Sequence, residues 1–233
     1  METLSAVDRL LDDGSGRVPR ADARRNVERL VAATRDAAAE GAEITAHDIA
    51  RRAGVGVGTF YRRVGTLERL LQAVLEEIFG EILARGDQGL AEPDPWTGFR
   101  EFAASYLRLR NELCDVNQAI GGVLDHERAE LRDRVRRLVE RAQDAGAIRA
   151  DVSWTDVSFL LVGASTGPHT MGIHAGPSQW ERNLAIVLDG LRTPVPTPPP
   201  GDAPRVPETR AADQRPEPGE RPGVVESPAP GTR

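Results

Sequence analysis

Apolar residues through the middle of the chain recur every three or four positions, with almost no strand-length alternation and few β-branched clusters, which predicts a nearly all-α body. Val27, Leu30, Val31, Thr34 and Ala37/Ala38 mark one face of a helix over about 21–40, ended by Gly41. Thr45 offers an N-cap hydroxyl, with Asp48 three residues on as an imperfect capping-box partner, for a short helix holding Ile49, Ala50 and Ala53. Gly54 stops it, and a second short helix over about 57–63 turns Phe60 inward. Thr66 caps a long helix whose stripe runs Leu67, Leu70/Leu71, Val74/Leu75, Ile78/Phe79 and Ile82/Leu83. Asp94 and Pro95 open the next as N-cap and first helical residue, with Trp96, Phe99, Phe102, Tyr106, Leu109 and Leu113 stacked on one side. Further helices are expected near 115–124, 126–145, 153–165 and 178–191, giving nine helices and no sheet.

The ends differ in composition from this body. Residues 193–233 hold twelve of the seventeen prolines, no aromatic residue and few large aliphatics, so they cannot offset the entropy lost on ordering and are expected to form a disordered Pro-rich tail. Residues 1–19 are expected to be a flexible arm, although Leu4, Val7, Leu10 and Leu11 are spaced for a turn or two of amphipathic helix. No stretch approaches the roughly 18 uninterrupted apolar residues of a membrane span, and the start has neither a basic nor an apolar leader region; a cytoplasmic protein without membrane contact is expected. The single cysteine, Cys114, excludes an intrachain disulfide and a multi-thiolate metal site, which fits a reducing compartment.

A net charge of −6 argues, on average, against a nucleic-acid partner, but the average hides a polarity. Residues 1–16 carry −3, residues 17–70 carry +4 and residues 71–233 carry −7. A basic segment ahead of an acidic body is the electrostatic footprint of a small nucleic-acid-binding unit on a larger module. Within that segment lie two short helices joined by Ala53-Gly54-Val55-Gly56. This is the spacing of a helix-turn-helix, whose second helix enters the major groove with its N-terminal residues at base edges. Ala50 lets the two helices approach, Gly54 permits positive φ in the turn, and Val55 closes a small core with Ile49 and Phe60.

The run from Thr45 to Arg63, TAHDIARRAGVGVGTFYRR, resembles the DNA-binding segment of TetR/AcrR-type transcriptional regulators. The resemblance extends from about residue 21 through Leu71, and its AGVxxGTxY core is specific to that family. It implies an N-terminal three-helix helix-turn-helix domain over 20–66 and an all-α bundle for ligand binding and dimerisation over 67–192, with Leu184–Leu191 similar to the terminal dimerisation helix. It also implies that Val57, Gly58, Thr59, Tyr61, Arg62 and Arg63 face DNA, with Ala46 and His47 near phosphates. The expected activity is that of a homodimeric repressor, released from a palindromic operator on double-stranded DNA by a small-molecule effector. Two positions depart from the family pattern: Leu67 stands where a phosphate-contacting lysine is common, and Val64 where an aromatic is frequent.

Arg62 and Arg63 each have the length and fork to grip guanine O6 and N7, and the sequence leaves open which does so. Arg17, Arg20, Arg24 and Arg25 read equally as phosphate contacts and as a solvated arm. The arginines of 128–141 read as a solvated face, since Glu130/Arg134 and Asp133/Arg137 stand four apart around the stripe Leu131, Val135, Leu138 and Ala142. Trp96, Phe99, Phe102, Tyr106, Cys114, Trp154 and Phe159 are candidates for an effector pocket, with core packing as the other reading. Cys114 with His126, or His169 with His174, lacks the partners that catalysis or metal binding needs, so neither enzyme activity, cofactor nor metal is expected. The reading of a different class is a helical interaction or enzyme domain without sequence-specific DNA binding.

Overall fold

The computed structural model of the chain describes residues 4–12, 21–40, 44–111, 125–165, 169–176, 178–192 and 199–205. Among these residues lie nine helices: α1 (Ala6–Leu11), α2 (Ala21–Ala39), α3 (Ala46–Arg52), α4 (Val57–Val64), α5 (Leu67–Ala91), α6 (Pro95–Asn111), α7 (Asp125–Asp144), α8 (Trp154–Ala164) and α9 (Gln179–Leu191). None of them is long and apolar enough to cross a membrane. The number matches expectation but the membership differs, because the helix expected over 115–124 and Cys114 lie outside the described residues while α1 enters the count.

Within residues 1–19, expected as a flexible arm with leucines spaced for a turn or two of helix, residues 6–11 form α1. Ser5 caps it by accepting from the Asp8 N–H, and Ala6 and Leu10 are buried. The Ala6 N–H donates to Glu77 Oε1 at 2.9 Å, Arg9 pairs with Glu76 at 2.6 Å, and Arg69 Nη2 donates to the Leu10 carbonyl. A six-residue helix is too short to hold itself; α1 exists because α2 and α5 supply a surface and partners for it. Arg17 and Arg20 lie outside the described residues, as does most of 193–233.

α5 carries the architecture. At 25 residues it is about 37 Å long, with its first turns packed against α1, α2 and α4 and the remainder against α6 and α7. One continuous core therefore runs from the small N-terminal head into the bundle. Leu70, Val74, Ile78 and Ile82 are the buried stripe of α5, and Phe99, Phe102 and Leu107 of α6 and Leu138 and Val139 of α7 are buried in the same core.

The arginine run of α7 is more than a solvated face. Arg134 reaches across to Asp87 of α5 at 3.0 Å, and Arg141 donates to the carbonyls of Gly89, Glu92 and Pro93, satisfying acceptors that the end of α5 leaves without helical partners. The expectation of no sheet is also corrected at one point. His169–Thr170 and Ile173–His174 pair antiparallel around Met171 and Gly172, whose φ values of 47° and 76° suit the tight two-residue turn of a hairpin.

Candidate nucleic-acid interface

The head is built from small side chains at close quarters. Thr45 Oγ1 accepts from the Asp48 N–H at 3.1 Å and starts α3, which buries Ile49 and Ala50 completely. Gly54 takes a φ of 63°, a conformation strained for other residues, and this lets the Val55 N–H return to the Ala50 carbonyl at 3.0 Å. The chain then leaves the turn extended at Gly56 and enters α4, whose Phe60 and Val64 are wholly buried beneath α2 and α3. Across the top, Val27, Leu30 and Val31 of α2 close the core, with Thr34 Oγ1 donating to the Leu30 carbonyl at 2.8 Å so that its buried hydroxyl is satisfied.

With Phe60 and Val64 pointing in, the 3.6-residue period places Gly58, Tyr61 and Arg62 on the outward side of α4, all three exposed. Tyr61 is 52% exposed, its ring standing edge-on to Phe60 at 5.3 Å. Thr59 and Val57 are half-buried at the margins of this face. Arg63 is also half-buried, and its Nε is enclosed without a hydrogen-bond partner. His47 stands exposed in the first turn of α3, whereas the Ala46 methyl packs on the core.

Charge separates the two short helices further than sequence reasoning foresaw. Both arginines of α3 are engaged within the head: Arg51 and Arg52 pair with Asp48, and Arg52 also with Glu40 at 2.8 Å. Hydrogen bonds from Arg52 and then Arg51 hold the Asp48 carboxyl below the usual carboxylate range. Ahead of them Arg24 pairs with Asp8 at 2.5 Å and Arg25 with Asp22, so two arginines that read as possible phosphate contacts are matched by carboxylates. Arg62 and Arg63 have no carboxylate partner among the described residues, and Arg62 reaches only Thr59 Oγ1, at 3.4 Å. Of the two short helices, α4 is therefore the one whose arginines are left without a carboxylate among the described residues; Arg29 of α2 and Arg69 of α5 also lack one, and bond Asn26 and the backbone carbonyls of Val64 and Leu10. Spacing alone did not reveal this, because the acids that neutralise α3 come from its own first turn and from the end of α2.

The candidate pocket residues divide. Phe99 and Phe102 lie in the core, Tyr106 stacks on Phe102 at 6.0 Å, and Trp96 and Trp154 are half-buried. Arg192, just past the end of α9, sits 4.6 Å over the Trp96 ring. Phe159 stands apart from the others. It is 67% exposed, because Val157, Leu161 and Ala164 are the α8 residues that face inward and Phe159 lies on the other side. Cys114 lies outside the described residues.

Comparison with known proteins agrees with this architecture. Residues 97–193 match the family of transcriptional regulators described as SbtR-like, C-terminal domain. The crystal structure of a TetR transcriptional regulator from Streptomyces coelicolor is 29% identical with a TM-score of 0.54, covering 72% of this chain and 99% of its own. That of a TetR transcription regulatory protein from Mycobacterium vanbaalenii is 31% identical with a TM-score of 0.51, covering 75% and 99%. No curated protein matches. With a helix-turn-helix at its start, an all-α bundle behind it and these relatives, the chain belongs to the TetR family of DNA-binding transcriptional regulators.

Proposed function

We propose that this chain is a repressor that acts in the cytoplasm as a homodimer without catalysing a reaction, each protomer placing α4 in one half-site of a palindromic operator. The observation that carries this reading is the outward face of α4, where Gly58, Tyr61 and Arg62 are uncovered and the arginines lack counter-ions among the described residues. A solvated tyrosine beside free cations suits phosphate and base edges, which supply acceptors along both walls and the floor of the groove. Val57, Thr59, Arg63, His47 and the backbone at Ala46 border that face and complete the interface, with 20–66 as the reading head.

Assembly follows from the other end of the molecule. Phe159, Leu160 and Val162 of α8 and Ile186 of α9 are exposed large apolar side chains on adjacent helices. A second copy that brings the same two helices across a two-fold axis covers them in a four-helix interface. The effector is proposed to enter the bundle of 67–192 beside Trp96, Tyr106 and Trp154, where an apolar small molecule shifts α6 and, through it, α5 and the head. Electrophoretic mobility shift against the DNA upstream of the chain's own gene, repeated over a range of salt, tests the reading. A discrete complex that outcompetes random duplex, with affinity falling steeply with salt, is expected. Binding no tighter than to random duplex overturns it.

A further inference from the structure

We infer that Arg62 reads a guanine in each half-site and that Arg63, its neighbour, contacts only phosphate. This rests on the proposed placement of α4 in the major groove and divides the work between two residues that the sequence leaves equivalent.

The first observation concerns glycine. Gly58 sits in the first turns of α4, where glycine is the poorest helix former after proline, yet nothing among the described residues calls for it. Its φ is not positive, and a Cβ built there meets no atom within 4 Å. Gly56, the N-cap of α4, is alike: its φ is −69°, its surroundings are open, and a serine or threonine there would cap the helix better. Two glycines without an internal reason, one at the start of a helix and one on its exposed face, suit close approach of an external surface to that backbone. Arg62 lies one turn beyond Gly58, on the same side. The approach that Gly58 permits carries the Arg62 guanidinium over the groove floor. Its hydrogen bond among the described residues, to Thr59 Oγ1 at 3.4 Å, is longer than an ordinary N–H···O bond, so its donors are available.

The second observation concerns Arg63. It lies about 100° further round the helix than Arg62, on the flank it shares with Thr59, and it is half-buried. A guanidinium offers two forks for a base edge, one through Nε and one through its two terminal nitrogens. The Arg63 Nε is enclosed by the head, which removes the first fork and holds the stem against the protein. What remains is the terminal fork, carried by that held stem at the side of the groove, where the phosphates run and not the base edges.

The experiment is a binding selection with the full chain on a pool of duplexes carrying randomised palindromic half-sites, followed by sequencing, for wild type, Arg62→Ala, Arg62→Lys and Arg63→Ala. Thermal unfolding is measured for each variant. Wild type is expected to enrich a G·C pair at one symmetric position. Arg62→Ala is expected to lose that preference by roughly 10- to 100-fold, and Arg62→Lys, which keeps the charge but not the fork, to lose most of it. Arg63→Ala is expected to select the same pair, bind every duplex more weakly and lower the salt slope by about one. Retention of the guanine preference in both Arg62 variants, or its disappearance in a folded Arg63→Ala, overturns the inference while leaving the interface in place. A wild type that binds duplex but enriches no sequence overturns it too, and one that binds no duplex overturns the proposed function with it.

Discussion

α4 and α8 each leave a helix face uncovered, and the two faces are opposites. On α4 the uncovered side chains are Tyr61 and Arg62 around the bare backbone of Gly58; on α8 they are Phe159, Leu160 and Val162, continued by Ile186 of α9. The first face is at ease in water, since an exposed guanidinium is fully hydrated, and it gains only when a polyanion replaces that water. The second is not: full burial of an exposed side chain of this size gains about 1.5–3 kcal/mol, most of it still to be had at Phe159 and Ile186 and less at Leu160 and Val162, which are partly covered already. Exposure alone therefore does not identify a binding surface; the chemistry of what is exposed identifies the partner. A pair of phenylalanines makes the contrast concrete, Phe60 holding α4 in place from beneath and Phe159 standing out from α8.

Truncating those two rings is the most forceful test of the comparison. Phe60→Ala empties the largest fully buried side chain of a small core and should cost about 3–5 kcal/mol in denaturant unfolding, with loss of DNA binding as the head loosens. Phe159→Ala should leave the stability of an isolated protomer within about 0.5 kcal/mol. Equal losses at low concentration, where protomers are separate, would show that Phe159 is held by its own chain and that the two faces are not distinct in kind.

Next in size is the apolar face itself. Phe159→Glu combined with Ile186→Glu should weaken self-association by about 3 kcal/mol or more, over a hundredfold, visible as a dimer-to-monomer shift in sedimentation velocity. Secondary structure by circular dichroism should be unchanged, because both side chains are exposed in the protomer. A double variant that still sediments as a dimer would place the two-fold interface elsewhere.

The head was legible in the sequence because its signals are local. Thr45, Asp48, Gly54 and the four-residue turn lie within a span of twelve residues, and each constrains its own stretch of backbone. The phase of α8 was not legible. Val157, Phe159, Leu160, Leu161 and Val162 are apolar around the whole helix, so periodicity does not distinguish the inward Val157 and Leu161 from the outward Phe159. Ion pairing was equally hidden, since Arg52 finds Glu40 twelve residues back and Arg134 finds Asp87 on another helix. α1 falls between. Its leucine spacing was visible, but its anchor at Glu77 lies 71 residues away, and Leu4, counted in that pattern, is exposed while Ala6 is buried.

That anchoring supplies a prediction of intermediate size. Leu10→Ala should destabilise the protein by about 2 kcal/mol, the low end for a buried leucine because α1 lies at the periphery. Denaturant unfolding measures it, and the loss should appear in the same transition as Phe60→Ala, since α1 packs on α2, α4 and α5 as part of the head. A value near zero would return residues 4–12 to the status of an arm and detach them from the face of α4.

The smallest expected effect bears on why α3 and α4, equally rich in arginine, differ in charge available to DNA. Arg52 and Arg51 hold the Asp48 carboxyl below its ordinary value of 3.8. Because the folded value is the lower one, the contribution of Asp48 to stability is fully present above the unfolded value and is lost as pH falls through the folded value, so it fades below about pH 4. Asp8, Asp94, Asp133 and Asp151 are lowered in the same direction, and only the difference between wild type and variant isolates Asp48. Asp48→Asn should lessen the acid loss in urea unfolding measured from pH 5 to pH 2.5 and leave neutral stability nearly unchanged, since surface ion pairs contribute little. The Thr45 cap survives, because it bonds the backbone N–H of residue 48 and not its carboxylate. Arg51, held only by Asp48 among the described residues, is then released, while Arg52 keeps Glu40. The slope of DNA affinity against salt should steepen by at most about one, a single added phosphate contact. An unchanged slope would mean that the position of α3, and not its internal pairing, keeps its arginines out of the footprint.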